Sequence, residues 1–449
     1  MKSWEDFVGQ ALPPANLMKN IRWQVLLAAL LAIGAAVPAS GARRFPITSF
    51  GAVGDGKTLN TQALQSLIDK VAKEGGGTVV VPEGTFLTGA LFFKQGVNLY
   101  LEKNGTLKGS VEQNDYPHVK TRLEGIERVW TSALLNFTDM TGVALGGDGT
   151  VDGSGDVWFA RSGFRRGRGA PGQVPPPPPP PPTGPRYGRP RLICFQNCKR
   201  VRISRVRLRQ EAVWCLHILY SQDVVVDGID IKCDHNIPSA DGSDIDSSRK
   251  VRVRNVEIDN NDDSITIKSG KDEDGLRVNR PSEDIIIENS RFHHGGSVVA
   301  MGSETSGGIR NVIVRHCTAD SDNAAPIRFK TQPSRGGVVE NITYSDIQLS
   351  GTRQAFEFNM EWRMVPPIAP PAKVLPIVRN VTIRNVRGTV KSVGVMHGLA
   401  GSPIQNVKFE KCDITADKGF TIENVRHVDL SGLKLTVKNG EAITKKNVE

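Results

Sequence analysis

Three carboxylates, Asp241, Asp262 and Asp263, recur at spacings of 21 and 22 residues, followed by His293-His294 and then by Arg328 and Lys330. Carboxylates brought close together repel when both are charged, so one keeps its proton beside an ionised neighbour. Hydrolysis of a glycosidic bond needs that pairing: one carboxyl protonates the leaving oxygen while another activates water. Arg328 and Lys330, two residues apart on a strand, project to one side and would grip an anionic group. Singly, these residues are commonplace, since Asp-Asp is ordinary turn chemistry and a lone His is usually structural. Their meaning depends on whether one architecture brings them to one face.

The elements that must position them are repetitive. A phrase of alternating polar and Val/Ile residues is anchored at Val201, Val224, Val251, Ile285, Val312, Ile342, Val381, Val407 and Val428. Successive anchors lie 23, 27, 34, 27, 30, 39, 26 and 21 residues apart, so the turns vary while the strands persist. Alternation turns one face of each strand inward, and a single coil cannot bury that face alone. Stacking coils about 4.8 Å apart makes a continuous core. The expected fold is therefore all-β, a parallel solenoid whose long turns carry function. Asp241 and the Asp262-Asp263 pair would then sit on adjacent rungs. Upstream, Ala63, Leu64, Leu67, Ile68 and Val71 share one face of a helix over 61–73, which Gly75-Gly76-Gly77 stops before a first strand at 78–81. That helix would cap the solenoid's open end.

Lys19 and Arg22, the apolar run from Val25 to Val37 and the small residues Ser40-Gly41-Ala42 describe a secretory signal peptide over 1–42, with Met18 as an alternative start. The run is short of the roughly 20 residues a membrane span needs. Residues 43–449 then form one secreted or periplasmic catalytic domain. A Gly/Arg/Pro-rich insertion over 152–191, with eight prolines from Pro175 to Pro182, is expected to be a polyproline II or irregular loop bordering the groove. The net charge of +10 is local: Val157 to Gln210 holds thirteen Lys and Arg and no Asp or Glu. Such a patch attracts a polyanion. It lacks the interleaved aromatics of a nucleic-acid surface beyond Phe164 and Tyr187, which argues against that partner. Six cysteines without paired C-x-x-C units fall mostly in apolar runs and read as buried small hydrophobes, Cys194 and Cys198 being the pair best placed for a disulfide.

Taken in order, Ser239-Ala240-Asp241, Asp262-Asp263, His293-His294-Gly295 and Arg328-Phe329-Lys330 resemble glycoside hydrolase family 28, the polygalacturonases. That family's pattern is Asn-Thr-Asp, Asp-Asp, Gly-His-Gly and Arg-Ile-Lys on a right-handed parallel β-helix. The similarity runs from about Phe45 to the C-terminus and includes Asp55-Gly56-Lys57-Thr58, the run from Gly75 and the run Asp263 to Gly270. Gly302 to Gly308 looks like the bacterial, often exo-acting branch. The resemblance implies inverting hydrolysis of α-1,4-galacturonosidic linkages in pectin. It makes Asp262 the acid, gives Asp241 and Asp263 the water, lets His294 tune the acid, and has Arg328 and Lys330 hold the galacturonate carboxylate, with Ser239 and Asp244 as further substrate contacts. It implies no metal and no cofactor, an acidic pectic polysaccharide or oligosaccharide as partner, no nucleic acid, no stable membrane association after leader removal, and a monomer. Ser239 replaces the family's asparagine, which leaves open a rhamnogalacturonan or other pectic side-chain hydrolase. Two other classes share the solenoid: a Ca²⁺-dependent pectate lyase, with Asp241, Asp244, Asp262 and Asp263 as ligands, and a non-catalytic carbohydrate-binding protein.

Overall fold

The structure, a computed structural model, describes residues 43–161, 188–320, 323–362 and 369–449. The leader and most of the Pro-rich insertion read from the sequence lie outside these residues. From Arg43 to Glu449 the chain is one compact unit. Its strands pair in parallel, coil upon coil, into a β-helix. Every anchor read from the sequence pairs with the next one, from Val201 with Val224 through to Val407 with Val428. The uneven spacing was therefore turn length alone.

Alternation explains the core. In one ladder Ile245, Ile267, Met301, Phe329 and Phe358 stand in register and are all buried. Their outward neighbours Asp244, Thr266, Ala300, Arg328 and Glu357 form a second column on the opposite face. Rings stack where aromatic residues meet at one rung spacing: Phe93, Phe137 and Phe195 lie 4.3 and 4.4 Å apart, and Phe329 and Phe358 lie 4.2 Å apart. Helix Thr61–Lys73 buries Leu64, Leu67, Ile68 and Val71 against the first coils, as its periodicity predicted. The first strand after it is Gly77–Val81.

Short helices at Gly155–Arg161, within the insertion expected to be irregular, and at Asp272–Val278 were not anticipated, and neither was a larger element. Strands His118–Leu123 and Ile126–Thr131 form an antiparallel hairpin that departs from the solenoid. It arises between strands Gly105–Gly109 and Leu135–Thr138. Its tip reaches residues more than 100 positions on, where the Lys271 amide donates to the Gly125 carbonyl at 2.9 Å.

All six cysteines are buried free thiols, and no Cys194–Cys198 disulfide is present. Cys198 donates instead to the Phe137 carbonyl at 3.4 Å. A thiol reagent should therefore titrate essentially no cysteine in the native protein and all six after unfolding; rapid native modification of several would contradict this packing. Phe137→Ala should cost about 3–5 kcal/mol in chemical denaturation, because both stacked neighbours lose a face.

Candidate active site

The four sequence-predicted groups converge on one outer face. Asp241 ends the turn before strand Ser243–Asp246, Asp262 and Asp263 precede strand Ile265–Lys268, and His294 precedes strand Val299–Met301. Arg328 and Lys330 lie within strand Ile327–Lys330 itself. These four strands are consecutive rungs of one ladder.

The three aspartates are not equivalent. Asp263 is 1 % exposed. It takes a hydrogen bond from the Lys330 ammonium, another from Ser297 Oγ at 2.8 Å and a third from Arg328 Nη1 at 3.3 Å. Burial alone would raise its pKa, but Lys330 and Arg328 outweigh burial and hold it below the usual carboxylate range. Asp262 keeps more access to solvent, and its Oδ1 accepts from the Asp263 amide at 2.9 Å. Burial and then the adjacent Asp263 charge push it upward. Asp241 is also pushed well up, by burial and then by Asp244. The face thus holds one fixed anion beside two carboxyl groups inclined to keep a proton.

The basic pair does more than point outward. Arg328 Nε donates to Glu357 Oε2 at 2.6 Å, and both Arg328 and Lys330 lie 5.4 Å from the Trp362 ring centroid. His294 Nδ1 donates to the Asn260 carbonyl at 2.9 Å, which fixes its tautomer, and its ring stacks on His235 at 3.9 Å. His293 faces away, between Asp320 at 2.8 Å and Glu257 at 3.1 Å. Ser239 is half-buried on the rim, with a left-handed φ of 56° and its carbonyl accepting from the Trp214 amide at 3.1 Å. Asp244, expected to touch substrate, is fully buried and engaged by Thr266 Oγ1 at 3.0 Å and Lys268 Nζ at 3.1 Å. Its place on the strand rather than in the turn turns it toward Lys268.

Several residues that organise the face carried no distinct sequence signal. Buried Asn260 donates from Nδ2 to the Ala240 carbonyl at 2.6 Å and to the Asp263 carbonyl at 3.1 Å, while its own carbonyl holds His294. It ties together the three turns that carry Asp241, Asp263 and His294. Gly296 lets the next coil approach Asp263: an added Cβ would lie 2.7 Å from Asp263 Oδ1. Lys268, inside a run quoted for its resemblance, reaches Asp241 at 3.4 Å and Glu304 at 3.5 Å as well as Asp244.

The hairpin covers the same outer face on the earlier coils. Arg122 pairs with Asp246 at 3.0 Å and donates to Ser247 Oγ at 2.7 Å, all three buried. Arg191 bridges His217 Nδ1 at 2.6 Å and Thr121 Oγ1 at 3.2 Å. The outward residues Asn136, Cys194 and His217 are consequently buried, although their register continues to Asp244. The described part of the basic segment is largely structural: Arg209 pairs with Asp230, and Arg205 lies 3.4 Å from Asp148. Arg189 donates to the Pro238 carbonyl at 2.9 Å, tethering the insertion's end to the loop that carries Asp241.

Residues 75–433 match the sequence profile of glycosyl hydrolases family 28. The chain belongs to that family. This family 28 hydrolase is 28% identical to a probable polygalacturonase of Vitis vinifera over 372 residues, covering 80% of this chain and 72% of that protein. It is 28% identical to an exo-poly-alpha-D-galacturonosidase of Dickeya chrysanthemi over 386 residues, covering 78% of this chain and 63% of the other. Among solved structures it resembles a hyperthermoactive exopolygalacturonase from Thermotoga maritima, with TM-score 0.75 and 28% identity over 90% of this chain and 96% of that one. A family 28 exopolygalacturonase from Yersinia enterocolitica shares the fold, with TM-score 0.77 at 20% identity over 91% of this chain and 77% of that one.

In this hydrolase, Asn260→Ala removes one of two donors from each of the Ala240 and Asp263 carbonyls, which keep the Asp262 and Gly242 amides, so the loss of two hydrogen bonds should destabilise by about 1–3 kcal/mol. Activity should fall further than stability accounts for, read as kcat at a temperature where circular dichroism shows the variant folded.

Proposed function

We propose that the protein hydrolyses α-1,4-galacturonosidic bonds of pectin by single displacement, with Asp262 as the acid and Asp241 with Asp263 on the attacking water. The observation that carries this reading is the split among the trio. Asp262, raised and partly open to solvent, can retain the proton that a leaving sugar oxygen requires. Asp263, anchored by Lys330 and Arg328, stays ionised and can orient water but is a weak base. Asp241 is the stronger base once charged, since basicity rises with pKa. His294, fixed by Asn260, flanks the acid's turn. Arg328 and Lys330 supply the positive field that a galacturonate carboxylate would meet.

Exo action is supported by the hairpin, which fills the outer face over Asn136, Cys194 and His217. A groove closed on that side accepts a chain end rather than a chain middle. Among the described residues no helix is long and apolar enough to cross a membrane. Export by the leader read in residues 1–42 would place the enzyme with its polymeric substrate. A calcium-dependent lyase is disfavoured by charge, since Lys268, Lys330 and Arg328 already neutralise the carboxylates that would bind the ion. The half-buried Ser239 on the rim favours a second reading in the choice of sugar, a rhamnogalacturonan backbone, which a direct rate comparison on the two polymers decides.

On polygalacturonate the enzyme should release a single short product from the outset while viscosity falls slowly; a random ladder of oligomers would contradict exo action. Asp262→Asn should lower kcat by about 10²–10⁴-fold while oligogalacturonate still binds. Chelator-sensitive formation of unsaturated, ultraviolet-absorbing ends would overturn the hydrolytic assignment.

A further inference from the structure

Lys268 is 6 % exposed, yet its ammonium is surrounded by three carboxylates, the neighbours Asp244 at 3.1 Å and Asp241 at 3.4 Å and the distant Glu304 at 3.5 Å. Its fourth side is the Trp214 ring, whose centroid lies 3.9 Å from Nζ. Trp214 is itself held by its amide on the Ser239 carbonyl, in the turn that carries Asp241. A buried ammonium with that surround stays charged: burial would lower its pKa, but Glu304, Asp244 and Asp241 together raise it well above the ordinary lysine value. The negative excess also makes it a poor grip for a further carboxylate from a substrate.

We propose that Lys268 is a positioning residue for the hydrolysis, a buried counter-ion that makes Asp241 easier to ionise among its carboxylate neighbours and fixes its place beside the water. The inference rests on the reading of Asp241 as a base. The groups facing Asp241 are Asp244 on the strand that follows it, Asp262 and Asp263 in the next turn, and Lys268. Those facing Glu304 are Lys268, Asp246, Asp244 and Arg335. Asp241 therefore meets three carboxylates and one ammonium, and the ammonium is shared. Removing Lys268 should make Asp241 harder to ionise; removing the Glu304 charge should make it easier.

The test is the acidic limb of kcat/KM against pH, which reports ionisations of the free enzyme. Lys268→Met should move that limb to higher pH and lower kcat at the wild-type optimum by about 10²-fold or more, the scale of a general-base contribution. KM should stay within about twofold, since uniform binding is untouched. Lys268→Arg should recover part of both losses. Glu304→Gln should move the limb the other way, and it carries the test if Lys268→Met does not fold. A raised KM with kcat unchanged would make Lys268 a substrate contact, and a limb unmoved in Lys268→Met and Glu304→Gln would make it structural; either result overturns the proposal. Asp241→Asn is measured alongside: if it stays active, the assignment of the base has failed, whereas a dead Asp241→Asn with unaffected Lys268 variants removes the role of Lys268 alone.

Discussion

In-register stacking of parallel strands is the constraint on which everything else in this molecule depends. Residues at one position of successive coils stand a single strand spacing apart, about 4.8 Å, whatever the length of the turns between them. Inside, this converts Ile245, Ile267, Met301 and Phe329 into a continuous apolar column. Outside, it brings charged residues from distant parts of the sequence within reach of one another, where they must balance. Asp263 and Lys330 are 67 positions apart and in direct contact.

The balance of those charges turns a surface of the solenoid into a reactive one. Carboxylates crowded on neighbouring rungs resist ionisation, and each cation decides which of them gives way. Arg328 and Lys330 hold Asp263 as an anion, leaving its neighbour Asp262 with the raised pKa. Buried charges are costly unless paired, so these cations support the fold while setting which carboxylate stays charged. The hairpin extends the same logic with the buried Arg122–Asp246 pair, which fastens it to the strand that follows Asp241.

Much of this was legible in the sequence because its signals are local and periodic. The anchors from Val201 to Val428 announced their own register, and helix Thr61–Lys73 announced its buried face. Asp241, Asp262 and Asp263 were visible because a spacing near one coil places them on adjacent rungs. The hairpin was not, since its partners lie far along the chain: Arg122 and Asp246 are 124 positions apart, and no period connects them. Asn260 and Lys268 were hidden differently. Each stands in an ordinary turn or strand context, and only the neighbouring coils reveal what its polar atoms hold. Asp244 misled for a related reason: its type suggested the groove, but its place on the strand directs it to Thr266 and Lys268.

An acid on the leaving oxygen and a base on the attacking water, placed on neighbouring rungs, should invert the anomeric centre in a single step. Proton nuclear magnetic resonance of the first turnovers on an oligogalacturonide measures this directly, before mutarotation mixes the anomers. The β-anomer should appear first and the α-anomer only later. Initial appearance of the α-anomer would mean a covalent intermediate and would contradict the arrangement in which Asp262 protonates the leaving oxygen while Asp241 and Asp263 hold the water.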